Sequence, residues 1–170
     1  MNEASLNAKW IACDLTNEKT QKFTQDVLNH MRERLSDYQE KYGDLYNLEA
    51  TPAESTSFRL AKHDKKHYPD IITANENGTP YYTNSSHLPV GYTEDIFTAL
   101  EIQDELQTRY TSGTVFHAFL GEKLPDWQSA AALVRKIAEN FKLPYYTMSP
   151  TYSVCADHGY ITGQQYTCPI

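Results

Sequence analysis

Between residues 17 and 42 apolar side chains recur every three or four positions, at Phe23, Val27, Met31, Leu35, Tyr38 and Tyr42. Lys, Arg, Glu and Gln fill the other face, so the period predicts an amphipathic helix. Gly43 follows it and predicts a left-handed C-terminal cap. A short strand-like run, Tyr46 to Ala50, comes next, and then a hydroxyl-rich turn. Residues 63–92 read as irregular and polar, with short strands at Ile71–Ala74 and Pro80–Thr83 around an Asn77-Gly78 turn. Thr93, Glu94 and Asp95 predict a second helix start, continued by Ile96, Phe97, Leu100 and Leu106. Thr114–Leu120, bounded by Gly113 and Gly121, predicts a strand. Asp126 predicts the cap of a helix whose buried stripe is Trp127, Ala130, Ala131, Val134, Ile137, Ala138 and Phe141. Leu143–Met148 is the returning strand, and this spacing predicts a parallel pair with a right-handed crossover. The whole reads as one α/β unit without repeats or linkers.

Composition narrows the function classes. At 170 residues the chain is long enough for a full-sized core. No segment approaches the roughly 20 apolar residues of a membrane helix, and no leader pattern opens the sequence. A net charge of −7 argues against a general nucleic-acid surface. It leaves room for a local dipolar pocket that takes a phosphorylated small molecule. Three cysteines, an odd number, suit a reducing compartment, hence the cytoplasm. Thirteen Tyr against six Phe suit half-buried strands and polar cavities.

Three segments carry candidate chemistry. In the C-terminal run, Cys155 and His158 stand two residues apart, a spacing that lets one turn present both to a tetrahedral ion. Cys168 follows after nine residues, with Gly159 and Gly163 placed to fold the chain back. The Cys168-Pro169 ending predicts a fourth ligand at position 171, one past Ile170. With three ligands the structural site is incomplete, and three unrelated residues are the alternative. The second segment, Asn47 to Arg59, reads as strand, turn and helix start. Its free N–H groups and the hydroxyls of Ser55, Thr56 and Ser57 suit a phosphate, or else only cap the helix. No GxxxxGK[ST] loop is present, which excludes a Walker-type site. The third, Tyr81 to Gly91, is a polar aromatic loop that suits a sugar or base edge, or an ordinary surface. His117 within its strand reads as a satisfied core residue, and Cys13 as a buried structural thiol.

Four runs in order carry a resemblance: Asn47-Leu-Glu-Ala-Thr-Pro-Ala-Glu, Tyr81-Tyr-Thr-Asn-Ser-Ser-His-Leu-Pro-Val, Gln103-Asp-Glu-Leu-Gln and Ser153-Val-Cys-Ala-Asp-His-Gly-Tyr. With Asn2-Glu-Ala and the helix Val27–Leu35, the chain resembles the anaerobic (class III) ribonucleoside-triphosphate reductases over nearly its whole length. The resemblance implies a glycyl-radical enzyme with a ten-stranded α/β barrel. Residues 1–152 would form roughly its second half, and residues 153–170 an incomplete zinc-binding hairpin. It implies cytoplasmic, anaerobic reduction of ribonucleoside triphosphates to deoxyribonucleotides for DNA replication, with ATP binding. The implied partners are a radical-SAM activating enzyme, a formate or thiol-protein reductant, and a second copy in a homodimer.

Residue by residue, Cys155, His158 and Cys168 match three positions of that family's structural zinc motif, where many members have Cys at the position of His158. Thr51, Ala53, Ser55, Thr56 and Ser57 are similar to the turn that holds substrate phosphates, and Glu54 is the candidate catalytic group. The resemblance places the radical glycine downstream of Ile170 and the thiyl cysteine upstream of Met1; Cys13 does not match the latter. The isolated chain is then expected to be inactive, with exposed strand edges that favour association. The alternative is a non-catalytic phosphate- or zinc-binding module.

Overall fold

The computed structural model describes residues 1–89, 91–92, 95–120, 124–150, 152–162, 165 and 167–170. Five helices and four strands follow in the order α1 (Asn2–Asn7), α2 (Glu18–Tyr42), α3 (Ser55–His67), α4 (Ile96–Gln107), β1 (Phe116–Leu120), α5 (Trp127–Asn140), β2 (Tyr146–Pro150), β3 (Tyr152–Cys155) and β4 (Gly159–Thr162). β1 pairs with β2 in parallel, Phe116 opposite Tyr146 through Leu120 opposite Pro150. β3 and β4 form an antiparallel hairpin, with Cys155 opposite Gly159. The fold class is therefore α/β, as expected. The described residues build two two-stranded sheets.

Both long helices begin and end where the caps fall. Asn17 accepts from the Lys19 N–H at the start of α2, and Gly43 at φ 78° closes it. Only the first half of the apolar stripe is covered. Thr20, Thr24 and Leu28 beside it are buried and Phe23, Val27 and Leu35 partly so, whereas Met31, Tyr38 and Tyr42 are about half exposed. A 25-residue helix is about 37 Å long and outreaches the body it packs on. The expected buried stripe of α5 contracts in the same way. Ile137 is buried, Leu133 and Phe141 partly so, and Trp127 and Val134 face outward.

The core lies where α4 and α5 meet the parallel pair. Leu100, Phe116, Ala118 and Ile137 form it, with Ile96, Phe97, Met148 and Tyr146 at its margin. A ladder of buried amides continues from it along α4: Thr114 donates to Gln107, Gln107 to Gln103, and Gln103 to the Ser86 carbonyl. These Gln side chains are satisfied, so burial costs little and fixes the 86 region on α4.

Elsewhere the expected elements shift. α3 runs to His67, because hydrophobic Phe58, Leu60 and Ala61 continue the helix into the segment read as irregular. The expected strands shrink to single bridges, Glu49 with Ser112 and Ala74 with Tyr81. At the first, Gly113 sits at φ 72°, and a Cβ there would stand 2.6 Å from the Glu49 side chain. Asp95 caps α4, accepting from the N–H groups of Phe97 and Thr98; Thr93 and Glu94 lie outside the described residues, as do Gly121 and Gly163. His117 is not a core residue. β1 alternates its side chains, and the odd position 117 faces out, bonded to Thr147 at 3.0 Å. Cys13 is half-buried rather than enclosed.

Candidate functional site

The run from Thr51 to Ser57 enters α3 through a tight turn. Glu54 adopts φ 44° and ψ −126°, and Thr56 N–H donates back to the Ala53 carbonyl at 2.9 Å. Those values match the first corner of a type II′ turn, a position that glycine normally fills. Holding Glu there costs on the order of 1–3 kcal/mol, so its surroundings must over-determine it. Ser57 supplies part of that, its hydroxyl and N–H both donating to the Glu54 carbonyl at 2.8 and 3.2 Å. Its hydroxyl therefore caps the turn. Thr51, Ser55 and Thr56 are exposed, and among the described residues their hydroxyls make no hydrogen bond. The N–H groups of Glu54 and Ser55 are likewise unengaged among those residues. Two such donors at a helix N-terminus have the right polarity for an anion.

Ala53 contributes differently from the expectation. Its N–H already donates to Asn84 Oδ1 at 2.9 Å, so this donor is spent inside the protein. Asn84 belongs to the polar aromatic loop, which turns out to be a structural bracket. Tyr82 donates its hydroxyl to Asp64 on α3 at 2.8 Å. Burial and then the Asp64 carboxylate push the Tyr82 phenol up to about 12, so it stays a donor. Thr83 donates its N–H and hydroxyl to the buried Glu3 carboxylate of α1 at 3.2 and 2.7 Å. Sequence reasoning missed Asn84, Glu3 and Asp64. Their partners lie 31, 80 and 18 residues away, and the only local signal was the loop's unusual polarity.

The C-terminal hairpin brings Cys155, His158 and Cys168 together. His158 Nδ1 stands 3.5 Å from the Cys155 sulfur and 3.2 Å from that of Cys168, and all three atoms lie within 4.8 Å of one another. Ligands around tetrahedral zinc are separated by roughly 3.6 Å, given metal distances of about 2.0–2.3 Å. The three donors therefore fit one ion of that kind. The strand register makes this possible: β3 ends at Cys155, a three-residue turn carries His158, and β4 starts at Gly159. The N–H groups of Asp157 and His158, then the Cys168 side chain, hold the Cys155 thiol below its usual value. That favours the thiolate a metal needs. A cavity of about 730 Å³ lies between α1 and residues 72–76, and its walls include none of the turn or Cys/His residues.

A family model described as anaerobic ribonucleoside-triphosphate reductase matches residues 1–170. Among solved structures, the Thermotoga maritima anaerobic ribonucleotide reductase with MES in the active site aligns at TM-score 0.66 and 23% identity, covering 91% of this chain and 24% of that one. The same enzyme in complex with dATP and CTP aligns at TM-score 0.64 and 22% identity, covering 91% and 24%. A further anaerobic ribonucleotide reductase aligns at 0.64 and 23%, covering 91% and 23%. These identities speak for the fold alone. The chain spans about a quarter of the length of the solved structures it matches. No curated protein matches it significantly.

Proposed function

The chain belongs to the anaerobic ribonucleoside-triphosphate reductase family, and from that premise we propose that it forms the substrate-side wall of an enzyme reducing ribonucleoside triphosphates to deoxyribonucleoside triphosphates. The observation that carries this reading is the family match from the first residue to the last. The solved relative that holds dATP and CTP supports a nucleotide substrate. In this reading residues 1–152 are part of a ten-stranded barrel and residues 153–170 a zinc hairpin. The half-exposed stripe of Met31, Tyr38 and Tyr42 on α2 supports a larger body that would cover it.

The chemistry divides between what the chain supplies and what the whole enzyme adds. In the whole enzyme a glycyl radical, through the thiyl radical it renews, would supply the hydrogen abstraction from the ribose. Cys13, Cys155 and Cys168 are not assigned that role. This chain's part is to bind and orient, which is where positional precision enters the rate. The open N–H groups of Glu54 and Ser55, with the hydroxyls of Thr51, Ser55 and Thr56, receive the phosphates. Ala53 and Ser57 shape the turn, and the Glu54 carboxylate is the candidate catalytic group. Cys155, His158 and Cys168 hold zinc, which would pin the hairpin as a structural tie. The remaining parts of the proposal are a radical-SAM activase, a formate or thiol-protein reductant, ATP as effector, a homodimer and a cytoplasmic setting.

Anaerobic calorimetry on the full-length protein tests the reading. A ribonucleoside triphosphate should bind at least ten times more tightly than its ribonucleoside, and Ser55→Pro, which removes one open N–H, should narrow that ratio. Equal affinities for the two ligands in the unaltered protein would overturn the phosphate role of the turn.

A further inference from the structure

We propose that Asn84 is a positioning residue for triphosphate binding, acting through the Ala53–Thr56 turn without touching the ligand. The inference rests on the phosphate reading of that turn. Three of the turn's four hydrogen bonds are local, running from Thr56 and Ser57 back to the Ala53 and Glu54 carbonyls. They tie the corner to α3 but do not reach the incoming segment, Thr51 to Ala53. Ala50 N–H, donating to the Ser112 carbonyl at 3.1 Å, holds the far end of that segment, and the bond from Ala53 N–H to Asn84 Oδ1, across 31 residues, fixes the end at the corner.

The acceptor must itself be immobile for this to work, and it is. Thr83 on one side is fastened to buried Glu3. Tyr82 is fastened to Asp64, on the same helix α3 that the turn begins. His87 N–H closes the loop onto the Asn84 carbonyl at 2.9 Å. Helix and strand are thus gripped by one bracket, which defines the angle between them. That angle decides whether the N–H groups of Glu54 and Ser55 converge on a single phosphate. Asn84 also withdraws the Ala53 N–H from competition, so that a bound anion meets only the N–H groups of Glu54 and Ser55.

The test compares a ribonucleoside triphosphate with its ribonucleoside, by anaerobic calorimetry on the full-length protein at about 0.3 M salt, where added charge is largely screened. Asn84→Ala should weaken the triphosphate about tenfold and leave the nucleoside within twofold. Asn84→Asp keeps the acceptor oxygen and should recover most of the loss. If the alanine variant does not fold by thermal melting, Asn84→Ser, too short to reach Ala53, should show the same selective loss. Equal weakening of both ligands, or none, overturns the role of Asn84. Should the unaltered protein fail to prefer the triphosphate, the turn reading falls first, and the two failures are told apart.

Discussion

The turn at Thr51–Ser57 and the hairpin at Cys155–Cys168 are two candidate sites built on opposite plans. The turn is set by remote segments: Asn84 is 31 positions from Ala53, and Glu3 grips Thr83 across 80. The hairpin is set locally, with His158 three positions from Cys155 and ten from Cys168. The turn stores backbone strain that the surrounding fold must offset. The hairpin is exposed and has little apolar support, so a bound ion would be its main source of rigidity. A site of the first kind fails when the fold is loosened at a distance, and one of the second kind when a single ligand is lost.

The largest expected effect breaks the hairpin alone. Cys168→Ser should lower zinc affinity on the order of 1,000-fold, read by competition with a chelator under reducing conditions, with nucleotide binding unchanged. Coupled loss of nucleotide binding would show that the two sites are not independent. Next, Leu100→Ala, which empties the core behind β1, should cost about 3 kcal/mol in denaturant unfolding. It should weaken the turn before the hairpin, since the buried amide ladder on α4 supports the Ser86 side of the bracket.

The third effect is pH dependence in the bracket. Burial, followed by nearby His117 and the N-terminal amino group, lowers His87 to about 4. The unfolded chain takes up this proton near 6.5, so it binds more protons than the folded chain between these values. Stability is therefore full above about 6.5 and falls as the pH drops towards 4, by about 2 kcal/mol once partial exposure is allowed for. Unfolding midpoints at pH 7 and 4.5 measure it, and His87→Gln should flatten the slope. The smallest effect is Glu54→Gly. Relief of the positive φ should raise stability by less than about 1 kcal/mol while turnover of the full-length enzyme falls. A gain in both would remove Glu54 from the site.

Much of the fold was legible because its signals are local. The Gly43 cap, the Asp126 cap and the parallel pair all follow from a few neighbouring residues. So does the metal group, whose spacing already states the geometry. What failed did so for non-local reasons. The stripes of α2 and α5 have the right period, yet period says only which face is apolar, not how much of it the chain can cover. His117 looked internal because a β-rich run gives its alternation without saying which side faces in.

The sequence by itself determined α2, α4 and α5, the parallel pair, the family resemblance and three candidate metal ligands within one hairpin. Tertiary structure alone decided that the Tyr81–His87 loop is a bracket, that Ala53 spends its N–H on Asn84, and that Glu54 sits in a glycine-like corner. The reason is physical. Local spacing fixes hydrogen bonds within a turn or helix, whereas a bond across 31 residues exists only after packing has brought both partners to the same place.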